Sequence, residues 1–160
     1  MTLDAATVAA LEEALEDEHK ARATYGAVIA AFGPVRPFVN IVESEGRHAA
    51  ALEDLFARHG LVAPADRWAG RVDPPSSLAA ACEAAVAAEV DNAAMYERLL
   101  AAVAAPDVRA VLERLRDASR QNHLPAFRRC LARERGGGAG GAGEGRGRRQ
   151  GHRGGGGRRA

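Results

Sequence analysis

The chain has 160 residues, with 22 Lys and Arg against 21 Asp and Glu, 47% apolar but only 4% aromatic residues, and two cysteines. The near-neutral total averages two unlike parts: residues 136–160 hold 13 of the 18 glycines and six arginines against one acid, a net of +5, whereas residues 1–135 carry 16 basic and 20 acidic side chains, a net of −4. These figures exclude a basic nucleic-acid-binding domain and a two-domain chain, and no apolar run approaches the roughly 18 residues of a membrane span.

The first periodic segment runs from an Asp4 N-cap to the stop signal Gly33-Pro34 and places Leu11, Leu15, Tyr25, Val28, Ile29 and Phe32 on one face. The second runs from about Phe38 to Gly60, with Ile41, Val42, Ala49, Leu52, Leu55 and Phe56 recurring at spacings of three and four. Residues 61–76 contain Pro64, Gly70, Pro74 and Pro75 and form a long connection that carries the single Trp68. A third segment starts at a Ser76 or Ser77 cap and continues to about Ala104, and Pro106 suits the first turn of a fourth that ends near Arg135. Cys82 and Cys130 fall on the apolar stripes of the third and fourth segments and are expected as free, small core residues.

Short links within each hairpin and a long one between them predict an all-α, four-helix bundle over residues 1–135, with a long crossover between helices two and three. Residues 136–160 bury too little apolar area to offset their ordering entropy and form a disordered Gly/Arg-rich tail. Arg-Gly sequence can contact RNA through phosphates and stacking, but no aromatic residue is interleaved here. Weak contact with nucleic acid or an acidic surface is the partner such a tail suggests. The acidic N-terminus lacks a secretory pattern, so a cytoplasmic protein with no membrane partner is expected.

The informative residues are polar ones on apolar stripes. Glu18 sits between Leu15 and Tyr25, Glu45 and His48 interrupt Ile41 and Leu52, Glu89 lies between Val86 and Tyr96, and His123 between Leu115 and Phe127. Burying an ion costs several kcal/mol unless it is paired or coordinated. Each helix contributes near its middle, so the five side chains can share one layer. Glu and His are ligand types for iron, manganese or zinc, and the i, i+3 spacing of Glu45 and His48 puts both on one helix face.

An internal repeat supports the common layer: Glu18 precedes Tyr25 and Glu89 precedes Tyr96 by seven, while Ser44 precedes His48 and Ser119 precedes His123 by four. The copy fails where Arg120 stands in the place of Glu45, and at about 100° per residue Arg120 falls at the bundle edge. Tyr25 and Tyr96 are expected in the core, each hydroxyl bonded to a buried carboxylate. Glu45 follows Phe38 by seven residues whereas Glu18 precedes Gly33 by fifteen, an axial offset of roughly 10 Å. An extended link at 33–37 or an early end to helix one would absorb it.

Glu18-His-Lys-Ala-Arg-Ala-Thr-Tyr25, together with Phe38-Val-Asn-Ile-Val-Glu-Ser-Glu45-Gly-Arg-His48 and Asn122-His-Leu-Pro-Ala-Phe127, resembles the ferritin-like superfamily, in particular rubrerythrin-type helices and small bacterial ferritin-like domains. The resemblance covers about residues 10–132. It implies a carboxylate-rich iron site of one or two ions held by Glu18, Glu45, His48, Glu89 and His123, with Arg120 where a fourth carboxylate would stand, and oxygen or peroxide reactivity there. Its partners would be the divalent metal and a second copy of the chain. The alternative is a non-catalytic helical interaction protein whose metal-free polar core pairs the glutamates with histidines and with Arg22, Arg47 or Arg116.

Overall fold

The computed structural model describes residues 2–137, and every regular element among them is helical: α1 (Ala5–Phe32), α2 (Phe38–Arg58), α3 (Leu78–Ala102), α4 (Pro106–Ala118) and α5 (Leu124–Gly137). A π-helical turn, Ser119–His123, joins α4 to α5 without a break, so the five helices make four rods. The tail expected at 136–160 lies outside the described residues from 138 onward. Its first two glycines instead extend α5 past the expected boundary at 135.

Local chemistry sets the helix ends. Asp4 Oδ1 accepts from the Thr7 amide at 2.7 Å, and Ser77 Oγ from the Ala80 amide at 3.1 Å, each satisfying an amide that the first turn leaves unpaired. Gly33 and Gly60 terminate α1 and α2 with φ of +84° and +68°, where a side chain would strain the backbone. Because α1 keeps its full length to Phe32, the link before Phe38 takes up the axial offset of the first hairpin. The crossover is held against α1 by an ion pair of Arg67 with Glu16 and by Trp68, whose ring has Lys20 and Arg67 at 5.2 and 5.5 Å from its centroid.

The π turn is absent from the expectation of one regular fourth helix. In a continuous α-helix Pro125 would lack the N–H needed to bond Gln121, and its ring would meet that carbonyl. The chain instead widens by one residue, the Leu124 amide bonds Ser119 O, and Pro125 falls in the first turn of α5, where a missing donor costs little.

The core forms two apolar clusters. One gathers Leu11, Leu15, Leu52, Leu55, Phe56 and Leu112 with their neighbours, the other Tyr25, Phe38, Ile41, Phe127 and the two cysteines. Side chains of this size contribute about 1.5–3 kcal/mol each when fully buried. Cys82 and Cys130 are buried as expected, but they are not free: a disulfide joins them, tying α3 to α5 across a Cα–Cα distance of 5.9 Å. The apolar stripes of α3 and the fourth rod face each other at this level, which brings the two thiols together. Among the described residues no helix is long and apolar enough to cross a membrane.

Candidate metal centre

Between the two apolar clusters lies a polar layer. Glu18 on α1, Glu45 on α2, Glu89 on α3 and His123 at the end of the π turn are 1%, 3%, 3% and 4% exposed, and His48 on α2 is nearly as covered. Glu45 is shared: its Oε2 lies 2.9 Å from His48 Nδ1 and its Oε1 3.2 Å from His123 Nδ1. Glu18 Oε2 approaches His48 Nδ1 at 3.2 Å, and Glu89 Oε2 approaches His123 Nδ1 at 3.6 Å. The two imidazoles stack with centroids 5.4 Å apart and planes 19° from parallel. All five side chains singled out from the sequence therefore meet, and in both histidines Nδ1 faces the carboxylates.

The outward-facing nitrogens converge on a single hydroxyl. Ser44 Oγ lies 3.3 Å from His48 Nε2 and 3.2 Å from His123 Nε2, so it can accept from both rings and fix their planes. Ser119 Oγ donates to Glu89 Oε2 at 2.5 Å. The tyrosines bond across the bundle: Tyr25 donates to Glu89 Oε1 at 2.8 Å, and Tyr96 donates to Glu18. Ser44 and Ser119 were visible in the sequence only as members of the repeat, and their orienting role emerges from the packing.

Arg120 lies where the helical-angle argument puts it, at the surface, with a side chain 55% exposed and an ion pair to Glu97 at 2.8 Å. Arg116 pairs with Asp117 and Glu97 rather than with the buried carboxylates. His19 is buried beside Glu53, and His59 pairs with Asp107 where α2 meets α4; neither joins the cluster.

Burial raises the Glu18 carboxyl to about 8 against the pull of His48. Burial acts the same way on Glu45, but hydrogen bonds from His123, His48 and Glu18 together outweigh it and bring that group down to about 2. Burial would lower the histidines, yet their carboxylate partners, Glu18 and Glu45 for His48 and Glu45 and Glu89 for His123, carry them up to about 9 and about 10. Both tyrosine hydroxyls are pushed up by burial and by the neighbouring carboxylates, so they act as neutral donors.

Ligand atoms of Glu45, His48 and His123 lie within 4.8 Å of one another. Bonds of about 2.1 Å to a common cation place neighbouring donor atoms roughly 3.0–3.4 Å apart. The separations of 2.9, 3.2 and 3.2 Å among Glu18, Glu45, His48 and His123 are those of carboxylate–imidazole hydrogen bonds, so a cation at the centre would displace the protons held there. The donor set, nitrogen and carboxylate oxygen with no thiolate, suits iron, manganese or zinc.

No protein-family model matches the sequence, and no curated protein matches it. Two solved structures share the fold. Hypothetical protein MJ0754 from Methanococcus jannaschii is 25% identical with a TM-score of 0.71, the match covering 79% of each chain. A conserved hypothetical protein, rv2844, from Mycobacterium tuberculosis is 24% identical with a TM-score of 0.67, covering 79% of this chain and 91% of its own.

Proposed function

We propose that this chain is a ferritin-like metal-binding protein that holds iron, or a similar divalent cation, at mid-bundle through Glu18, Glu45, His48, Glu89 and His123. The observation that carries this reading is the carboxylate of Glu45 set between the Nδ1 atoms of two stacked histidines, with Ser44 behind both rings. Three carboxylates and two imidazoles from four rods converge in a layer closed at both ends by apolar clusters; Tyr25, Tyr96 and Ser44 engage the atoms turned away from the centre, and Ser119 holds the Glu89 oxygen that faces His123. That arrangement supports a preorganised donor set.

Iron, when bound, would supply reactivity toward oxygen or peroxide. The protein's own part is to hold the carboxylates and imidazoles in place between the two apolar clusters. With Arg120 turned to the surface, the fourth rod contributes one ligand rather than two, which favours one ion over a symmetrical pair.

Elemental analysis of the full chain, purified without chelator and again after anaerobic Fe(II) loading, tests the reading. Retention of about one equivalent of a transition metal is expected. A protein that stays metal-free after loading would leave the other account standing, a salt-bridged polar core in a helical interaction protein.

A further inference from the structure

Apolar clusters close the polar layer at both ends of the bundle, so anything that reaches Glu45 must come from the side. A cavity of about 160 Å³ between α1 and α3 is lined by the buried Glu45, Glu89 and Tyr25, which mark its base, and by the half-buried Asp17 and Asn92 and the exposed Asp91, which mark its mouth. Its volume is far above the roughly 10–15 Å³ that a single water needs. Asp17 and Lys20 also line a broader groove of about 650 Å³ bounded by α1, Met95 and the crossover at Trp68. Asp17 thus stands at the junction between the groove and the inner cavity. Asn92 Nδ2 donates to its Oδ2 at 2.7 Å and holds the carboxylate in position.

We propose that this lateral opening is the route by which a divalent cation reaches the centre, with Asp17 as the first carboxylate to take it from water and pass it inward to Glu89 and Glu45. The inference rests on the metal-centre reading above. A hydrated divalent cation gives up its waters one at a time, each replaced by an oxygen ligand, because an apolar passage would charge the full desolvation cost. The opening supplies such oxygens in sequence, at the mouth and then at the base. Lys20, the cation that shares the mouth, is drawn toward the face of Trp68. Asp17 acts on arrival rather than on retention, since the five inner ligands meet without it.

Stopped-flow uptake of Co(II) by the metal-free full chain, followed by its ligand-field absorbance, separates these roles. Asp17→Asn and Ala88→Phe, the second filling the mouth that the exposed Ala88 also lines, should each slow uptake about tenfold while reaching the same final amount of bound Co(II) as the unaltered chain. Lys20→Glu should speed it. Unchanged rates in all three variants would overturn the route while leaving the metal centre intact. Loss of final occupancy in Asp17→Asn would make Asp17 a ligand and overturn its transit role. No uptake by the unaltered chain would overturn the metal-centre reading and the route with it.

Discussion

In the first hairpin, α1 and α2 bring three ligand-type side chains to the centre, Glu18, Glu45 and His48; in the second, α3 and the fourth rod bring only Glu89 and His123. The tyrosines nevertheless exchange as near-equivalents, Tyr25 bonding Glu89 and Tyr96 bonding Glu18 at one common antiparallel register of α1 and α3. The serines do not: Ser44 bonds two imidazoles, whereas Ser119 bonds a carboxylate. The Glu-Tyr frame is common to both halves, and Arg120 stands in the second half where Glu45 stands in the first. Substitutions that treat the halves as equivalent should therefore have unequal effects at the ligands and similar effects at the tyrosines.

Glu45→Gln should have the largest effect. A glutamine amide can accept from one imidazole but turns its NH₂ toward the other, and two buried cations lose the anion they share. Removing one member of a buried charge pair costs about 3–5 kcal/mol. Urea denaturation of the metal-free variant should show a loss of that size, and Fe(II) retention should be abolished. Unaltered retention would show that the centre does not depend on the bridging carboxylate.

The second prediction uses pH. The raised pKa values of His48 and His123, about 9 and about 10 against 6.5, give metal-free stability that is complete below pH 6.5 and lost as pH climbs through those values. Glu18 acts in the same direction between 4.5 and about 8, because the folded form binds its proton more tightly. Glu45 acts oppositely, and its contribution fades only as pH falls from 4.5 toward about 2. The metal-free midpoint should therefore begin to fall above about pH 4.5, through Glu18, and fall more steeply from about pH 6.5 to 10 as the histidines add their share. Metal binding near neutral pH should release about two to three protons, from Glu18, His48 and His123. Calorimetry in buffers of different ionisation enthalpy measures this count, and binding heats independent of the buffer would contradict the protonation scheme.

Much of this architecture was legible in the sequence because single residues dictated it. Asp4, Gly33, Gly60, Ser77 and Pro106 each act on the backbone within one turn, so the helix boundaries followed from local chemistry. Buried Glu and His on apolar stripes likewise announced a shared layer, and the angular position of Arg120 placed it outside. The disulfide was missed because pairing of Cys82 with Cys130 depends on how α3 and α5 approach each other, a tertiary distance with no local signature. The π turn left one trace, Pro125, which a purely periodic treatment of the fourth segment passed over.

Tyr25→Phe and Tyr96→Phe test the preserved half of the comparison. Both side chains are fully covered, and each hydroxyl donates to a buried carboxylate. Taking away one donor while the acceptor stays buried costs about 1–3 kcal/mol, and similar values are expected for the two variants. Loss at one position only, read from urea denaturation, would mean that the exchange of tyrosines is not an energetic symmetry.

The smallest effect should come from Arg120→Glu, which restores a Glu-x-x-His pattern to the fourth rod on paper. Angle and burial argue that the new carboxylate would point to solvent, as Arg120 does. It would face Glu97, replacing an exposed ion pair worth at most about 1 kcal/mol with a weak repulsion. The π turn strengthens the argument: the extra residue alters the spacing between position 120 and the inward-facing His123, so the i, i+3 geometry of Glu45 and His48 is not reproduced. Metal stoichiometry should therefore stay at that of the unaltered chain, with a stability change near the limit of detection. A second equivalent of iron in this variant would show that the fourth rod can rotate its carboxylate inward, and that the asymmetry between the hairpins lies in the side chain rather than in the backbone.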